Sequence, residues 1–196
     1  MKLSYFIKEK VKSLVRFILM NLGINLRKNK SDRKVLENII FPELVSAQEL
    51  YRILFVGSQW YTKYYNKIFR DKDYYTIDIN PKNKIYGSKK HIIDSLENIF
   101  QYFKEEELDL IICNGVWGWG LNDKALTEKA FTECFKCLRK GGIFLLGWDD
   151  IPEHRPFPLD ECKSLKLFQP LVFKPLSASQ YPTATPYRHT YNFYIK

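Results

Sequence analysis

RILFVGSQW (residues 52–60) and LDLIICNGVWGWG (residues 108–120) decide the fold. Each is a short apolar run that ends on a small or polar residue and then turns. Ile53-Leu54-Phe55-Val56 runs into Gly57. Leu108-Asp109-Leu110-Ile111-Ile112-Cys113 runs into Asn114-Gly115. Two further runs share the pattern: Tyr75-Thr76-Ile77 ends at Asp78, and Leu138-Arg139-Lys140-Gly141-Gly142 turns into Ile143–Trp148. Apolar strands alternating with helical stretches build a parallel sheet, and ligands of such sheets bind beyond the strands' carboxyl ends. A glycine there admits a ligand close to the backbone, and an acid can hold ribose hydroxyls. The strand ends therefore describe a nucleoside-like pocket.

The order of the segments ILFVGSQWYTKYY, YYTIDINP, HIIDSLENI, LDLIICNGVWGWGLND and CLRKGGIFLLGW resembles a class I S-adenosylmethionine-dependent methyltransferase. The resemblance covers roughly the middle half of the chain, the size of one nucleotide-binding core. It implies a Rossmann-like α/β fold: a mostly parallel sheet, helices on both faces and a C-terminal antiparallel hairpin. It also implies S-adenosylmethionine as cofactor. The family's first loop usually carries two or three glycines, whereas here Gly57 is followed by Ser58, Gln59 and Trp60. A dinucleotide's pyrophosphate needs repeated glycines for close backbone approach. S-adenosylmethionine has no phosphate and tolerates the bulkier loop. A nicotinamide-dependent oxidoreductase is thus the disfavoured alternative, and a non-catalytic cofactor-binding or membrane-recruitment module is the other.

On the same resemblance, Gly57, Ser58 and Gln59 contact the methionine part of the cofactor. Asp78 takes the ribose, Asp94 and Ser95 take the adenine amine, and Asn114 sits beside the transferable methyl. Asp94 also reads as a helix cap. Asn114 is followed by Gly-Val-Trp rather than the Pro-Pro-Tyr-like run of adenine- and glutamine-modifying relatives, so methylation of that type is not indicated. Trp117 and Trp119, in a run with Gly115, Gly118 and Gly120, are expected to wall the acceptor. A hydroxyl acceptor needs a base within hydrogen-bond reach. Asp149 and His154 follow the fifth strand on the correct edge and are the catalytic candidates. His189 begins the last strand and ranks below them. No metal site is indicated.

Composition narrows the partners. The 196-residue chain carries a formal charge of +9 and is 45% hydrophobic, enough for one substantial core. Residues 1–34 hold ten Lys or Arg against two acids, which leaves +1 for the remaining 162. A core so near neutral argues against a nucleic-acid substrate, whose phosphates would demand a basic face. Within residues 1–29, Leu3, Ile7, Val11, Leu14, Val15, Ile18 and Leu22 fall on one helical face beside lysine and arginine. This basic amphipathic helix fits an anionic membrane surface or packs on the domain or a second subunit. The expected layout is an N-terminal helix over 1–29 and a methyltransferase-like domain over 30–196. The expected setting is cytoplasmic, peripheral at the inner membrane face, with a small-molecule or saccharide acceptor and a homo-oligomer left open. Cys113, Cys134, Cys137 and Cys162 read as reduced thiols, because the lone CxxC lacks a second ligand pair.

Beyond the strands, the pattern predicts helices over about 32–40, ending before Pro42, over 61–69, over 96–104 and over 124–138. It predicts strands at 91–93, at 165–173 with Pro170 at an edge or bulge, and at 188–195.

Overall fold

The computed structural model describes residues 31–196, together with Val11, Val15, Ile18 and Leu19. The predicted helix over residues 1–29 otherwise lies outside the described residues. One eight-stranded sheet organises the chain: β1 (Arg52–Val56), β2 (Asp73–Ile77), β3 (Lys90–Ile92), β4 (Leu108–Asn114), β5 (Leu138–Asp149), β6 (Gln169–Pro170), β7 (Gln180–Pro182) and β8 (His189–Ile195). The order is β3-β2-β1-β4-β5-β8-β6, with β7 also paired to β8. Strands β1 to β5 run parallel, while β8 lies antiparallel to β5, β6 and β7. This is the expected parallel sheet with an antiparallel C-terminal hairpin.

Both faces of the central strands are covered, which is why β1 and β4 read as unbroken apolar runs. Alternation sorts their side chains. Leu54, Val56, Ile111 and Cys113 pack on one face with Ala130, Phe131 and Cys134 of helix α4 (Lys124–Cys137). Ile53, Phe55, Leu110 and Ile112 face the other way. There they meet Leu36, Ile40 and Phe41 of the N-terminal helical run, and Tyr65 of the short helix α3 (Tyr65–Ile68). Asp123 caps α4 by accepting the Leu126 amide, as its position before the helix requires. All four cysteines are buried free thiols, and burial pushes Cys113 and Cys137 up to about 12. Inert thiols of this kind are packing groups.

Several local expectations are corrected. The helix predicted to stop before Pro42 continues instead: α1 (Ser31–Val35) passes through a π-turn at Leu36–Ile40 into α2 (Phe41–Ser46). The Phe41 amide donates to Leu36 O, five residues back, and this wider turn lets a proline without N–H follow. The helix predicted over 61–69 shortens to α3 behind a run of turns, and that over 96–104 becomes a 3-10 helix at Leu96–Gln101. The strand predicted over 165–173 divides into a 3-10 turn, Lys163–Leu167, and the two-residue β6. Pro170 does lie in that edge strand, where its missing N–H costs no ladder bond.

Candidate active site

The sheet order reverses between β1 and β4, since β2 and β3 lie to one side of β1 and β4 and β5 to the other. A cavity of about 690 Å³ opens at the carboxyl ends of these strands. Its size suits a cofactor with a small acceptor.

At the end of β1, Gly57 adopts φ +82°, and a Cβ there would lie 3.0 Å from Val116 Cγ2. Only glycine takes this turn without strain. The turn sends the Ser58 amide to Asp78 Oδ2 at 2.6 Å. Ser58 itself is buried with its hydroxyl unpartnered, and does not line the cavity; its contribution is this backbone bond. Gln59 does line the cavity. Its backbone N–H donates to Thr62 Oγ1, and the Thr62 hydroxyl returns to Gln59 O, so the glycine-poor loop is closed by a side-chain turn.

Asp78 stands at the end of β2 and ties two loops together. Its Oδ1 accepts the Asn80 amide at 2.7 Å, and its Oδ2 accepts from Ser58 and from Asn83 Nδ2 at 3.1 Å. An ionised carboxylate offers about four acceptor positions. Three are used, so about one is left for a ligand hydroxyl. Asp94, after β3, accepts from the Ser95 amide, Asn98 Nδ2 and the Tyr102 hydroxyl. These bonds hold its carboxyl below the usual range, Asn98 contributing most. Asp94 thus ties down the start of the 3-10 helix and also lines the cavity with Ser95.

The opposite side of the cavity gathers residues from β4, β5 and β8. Asn114 ends β4. Asp149 ends β5 and pairs in register with His189, the first residue of β8. His189 Nδ1 lies 2.6 Å from Asp149 Oδ1, and its Nε2 lies 3.0 Å from Asn114 Oδ1. The other Asp149 oxygen accepts the Trp119 indole N–H at 3.0 Å and lies 3.2 Å from His154 Nδ1. Burial pushes the Asp149 carboxyl up, but the bonds from His189, Trp119 and His154 outweigh it and hold the group below its ordinary value.

The two tryptophans part company. Trp119 is 58% exposed, lines the cavity, and lies with its ring tilted 53° to that of His154, centroids 4.2 Å apart. Trp117 is wholly buried, edge-on to Trp148 and Phe157, and is a core residue rather than a cavity wall. Gly118 between them has φ +87°, and a Cβ there would sit 2.1 Å from His154 O. This close approach seats the loop on the turn at Pro152–His154. His154 lies outside the cavity lining, held between Trp119 and Tyr187. His189, ranked low from sequence, lines it instead. The available signal was direction: an antiparallel strand starts where its parallel neighbour ends. Arg33 of α1 was also missed; its guanidinium lies 3.5 Å over the Tyr61 ring at the cavity wall.

The lining carries Asp78, Asp94, Glu97 and Asp149 against Arg33, the one Lys or Arg among the described lining residues. Such a field repels a pyrophosphate and attracts a cation. S-adenosylmethionine, with a sulfonium and an ammonium against one carboxylate, fits these charges and the cradle at Gly57. A nicotinamide dinucleotide does not.

Sheet order, switch-point cavity and charge define a Rossmann-like enzyme that binds a cationic nucleoside cofactor. A family profile described as a methyltransferase domain matches residues 55–146. No curated protein matches the chain. Among solved structures, a TehB-like S-adenosylmethionine-dependent methyltransferase from Corynebacterium glutamicum is similar with a TM-score of 0.60 at 14% identity, over 96% of this chain and 97% of that one. N-methyltransferase NodS from Bradyrhizobium japonicum, in complex with S-adenosyl-L-homocysteine, gives 0.59 at 14%, over 90% and 97%. A 1,6-didemethyltoxoflavin-N1-methyltransferase from Burkholderia thailandensis, with its substrate and S-adenosylhomocysteine bound, gives 0.57 at 10%, over 96% and 89%. Residues 55–146 thus match a methyltransferase domain, and the fold is the one these S-adenosylmethionine-dependent methyltransferases share.

Proposed function

We propose that the protein methylates a small-molecule or saccharide acceptor, and that it meets this acceptor, lipid-linked, at a membrane surface. The observation that carries the small-acceptor reading is the single cavity running from Gly57, Asp78 and Asp94 to Asn114, Trp119 and Asp149. The first three would hold the methionine, ribose and adenine parts of the cofactor, with Gln59 and Ser95 beside them. The last three would surround the acceptor. When bound, the cofactor supplies an electrophilic methyl group. The chain's residues then need to align a nucleophile with it and exclude water, which is worth several powers of ten in rate. Trp119 offers an apolar wall. Asp149 orients the polar groups around it, and His154 supports Asp149 and Trp119 from behind.

Two further observations support the membrane part. Val11, Val15 and Ile18 are helical and about half exposed, at 53%, 47% and 49%. They stand in a segment where residues 1–34 carry a net +8. No helix among the described residues is long and apolar enough to cross a membrane, so the reading is of a helix lying on the surface.

Calorimetric titration with S-adenosylhomocysteine and with a nicotinamide dinucleotide tests the cofactor side; binding of the dinucleotide alone would sink it. Transfer of labelled methyl from S-adenosylmethionine to a panel of small hydroxyl, amine and saccharide compounds tests the acceptor side. Co-sedimentation with anionic and neutral vesicles tests the membrane side. A V15E/I18E variant is expected to lose the anionic vesicles, and unchanged sedimentation would remove the membrane from the account.

A further inference from the structure

Asn114, His189 and Asp149 make one line of polar contacts at the acceptor end of the cavity, and the chemistry of that line restricts the acceptor. Asp149 is held ionised, so it can only accept, and at 2.6 Å the His189 Nδ1 carries a proton towards it. The state of the ring is then decided at Nε2, 3.0 Å from the Asn114 amide. If the amide oxygen faces Nε2, that nitrogen also carries a proton and the ring is a cation. If the ring is neutral, an oxygen there would set two acceptors against each other. A half-turn of the amide replaces O by NH2 at the same place and restores the bond. Asn114 is also packed closely on β5. It lies so close over Gly147 that a Cβ on that glycine would be 1.9 Å from Asn114 Oδ1 and 3.0 Å from His189 Nε2. The amide's other atom has no partner among the described residues and is not buried. The residue itself lines the cavity.

We propose that His189 is a positioning residue that sets which end of the Asn114 amide faces the acceptor. In its neutral form it takes the NH2 group and turns the carbonyl oxygen into the cavity. The acceptor is accordingly a nucleophile that bears a hydrogen to donate, an amine or a hydroxyl, and not a thiolate or a carbanion. This rests on the methyl-transfer reading above. The acceptor donates its N–H or O–H to Asn114 Oδ1, which aims its lone pair. That pair forms the new bond to the methyl carbon as the carbon–sulfur bond breaks with its electrons left on sulfur. An amine acceptor gives up its extra proton to solvent after the product leaves, and a hydroxyl gives its proton to the Asp149 carboxylate, which lines the same cavity. Protonating His189 reverses the amide, presents NH2 to the nucleophile, and switches the site off.

Groups from three elements surround His189. On β5, Asp149 faces it. On its own strand, the Tyr191 ring packs 4.9 Å away. His154 approaches the far oxygen of the same carboxylate, and Trp119 donates there. The Arg188–Asp150 pair, at 3.6 Å, flanks the start of the strand. One carboxylate serves both histidines.

The test is nuclear magnetic resonance on full-length, 15N-labelled protein with S-adenosylhomocysteine bound, His189 and Asn114 being assigned by H189Q and N114S. With the ring neutral, the proton is expected on Nδ1 with Nε2 bare. The Asn114 NH2 signals should shift on protonation of His189 with the same midpoint. In D149N the ring should lose its Nδ1 preference and the Asn114 signals their pH response. A neutral ring protonated on Nε2, or Asn114 signals that stay flat while His189 titrates, overturns the proposal. Turnover gives a second reading: H189Q should lose roughly 10²-fold in kcat with cofactor affinity kept, and with it the acidic limb of the pH profile. An acceptor from the panel that is a thiol or carbon nucleophile overturns the substrate class. A correct spectrum with no methyl transfer to any compound counts instead against the methyl-transfer reading, because the amide coupling is seen without turnover.

Discussion

The Asp78–Asp94 side of the cavity is wired over short stretches of chain, and the Asn114–Asp149 side over long ones. Asp78 is tied to residues 2, 5 and 20 positions away, and Asp94 to residues 1, 4 and 8 positions away. On the other side, Trp119 and Asp149 are 30 residues apart, Asp149 and His189 are 40, and Asn114 and His189 are 75. Local wiring makes the first side a property of sequence-adjacent strands and their loops. The second side exists only when β4, β5 and β8 have paired. One consequence is that the two sides should fail separately.

The largest expected effect tests that separation directly. D149N removes the charge that holds His189 and Trp119, and turnover should fall about 10²–10⁴-fold while S-adenosylhomocysteine affinity stays within a few-fold. Parallel loss of affinity, measured by calorimetry, would merge the two sides. Next is D78A, which should cost about 2–4 kcal/mol of cofactor binding, roughly thirty- to a thousand-fold in Kd. It also frees the Ser58 amide and Asn83 Nδ2, so its melting temperature should drop too. Unchanged titration curves for a folded variant would remove Asp78 from the binding site. G118A forces a Cβ against His154 O at a positive φ, and about 1–3 kcal/mol of stability should go. Denaturant melts measure this, and the variant's crystal structure should show Trp119 displaced with the Gly57–Asp78 turn intact.

The smallest effect is on acid stability. The Asp149 carboxyl is depressed in the fold, so it contributes stability that is present above its unfolded value, near pH ~4, and lost as pH falls through the lower folded value. Wild-type melting temperature should therefore fall more steeply than that of D149N below pH ~4. Coincident slopes would show that the bonds from His189, Trp119 and His154 do not favour the charged form.

The comparison also explains what could be read in advance. Gly57, Asp78, Asp94 and Asn114 were legible because each directly follows an apolar run, and a strand's end is marked in its own sequence. Ser58 was misjudged because a turn residue's backbone and side chain can point apart, and here the amide serves Asp78 while the hydroxyl is buried. Trp117 and Trp119 look alike in sequence, both flanked by small residues. Two positions along a glycine-bent loop sent one into the core and the other to Asp149. His154 and His189 exchanged importance for a similar reason. His154 is near Asp149 in sequence, but His189 is opposite it in the sheet.

By itself the sequence determined the strand–helix alternation, the parallel sheet with its closing hairpin, and the strand ends that carry Gly57, Asp78 and Asp94 into the cavity. Apolar runs and the turn residues after them act over a few positions and need no partner to be recognised. Tertiary structure alone decided the opposite side: the antiparallel register that sets His189 on Asp149, the bare Gly147 beneath the Asn114 amide, and the contact of Gly118 with His154. Those contacts join residues 33 to 40 positions apart, and no local pattern records which distant side chain will arrive at a given strand end.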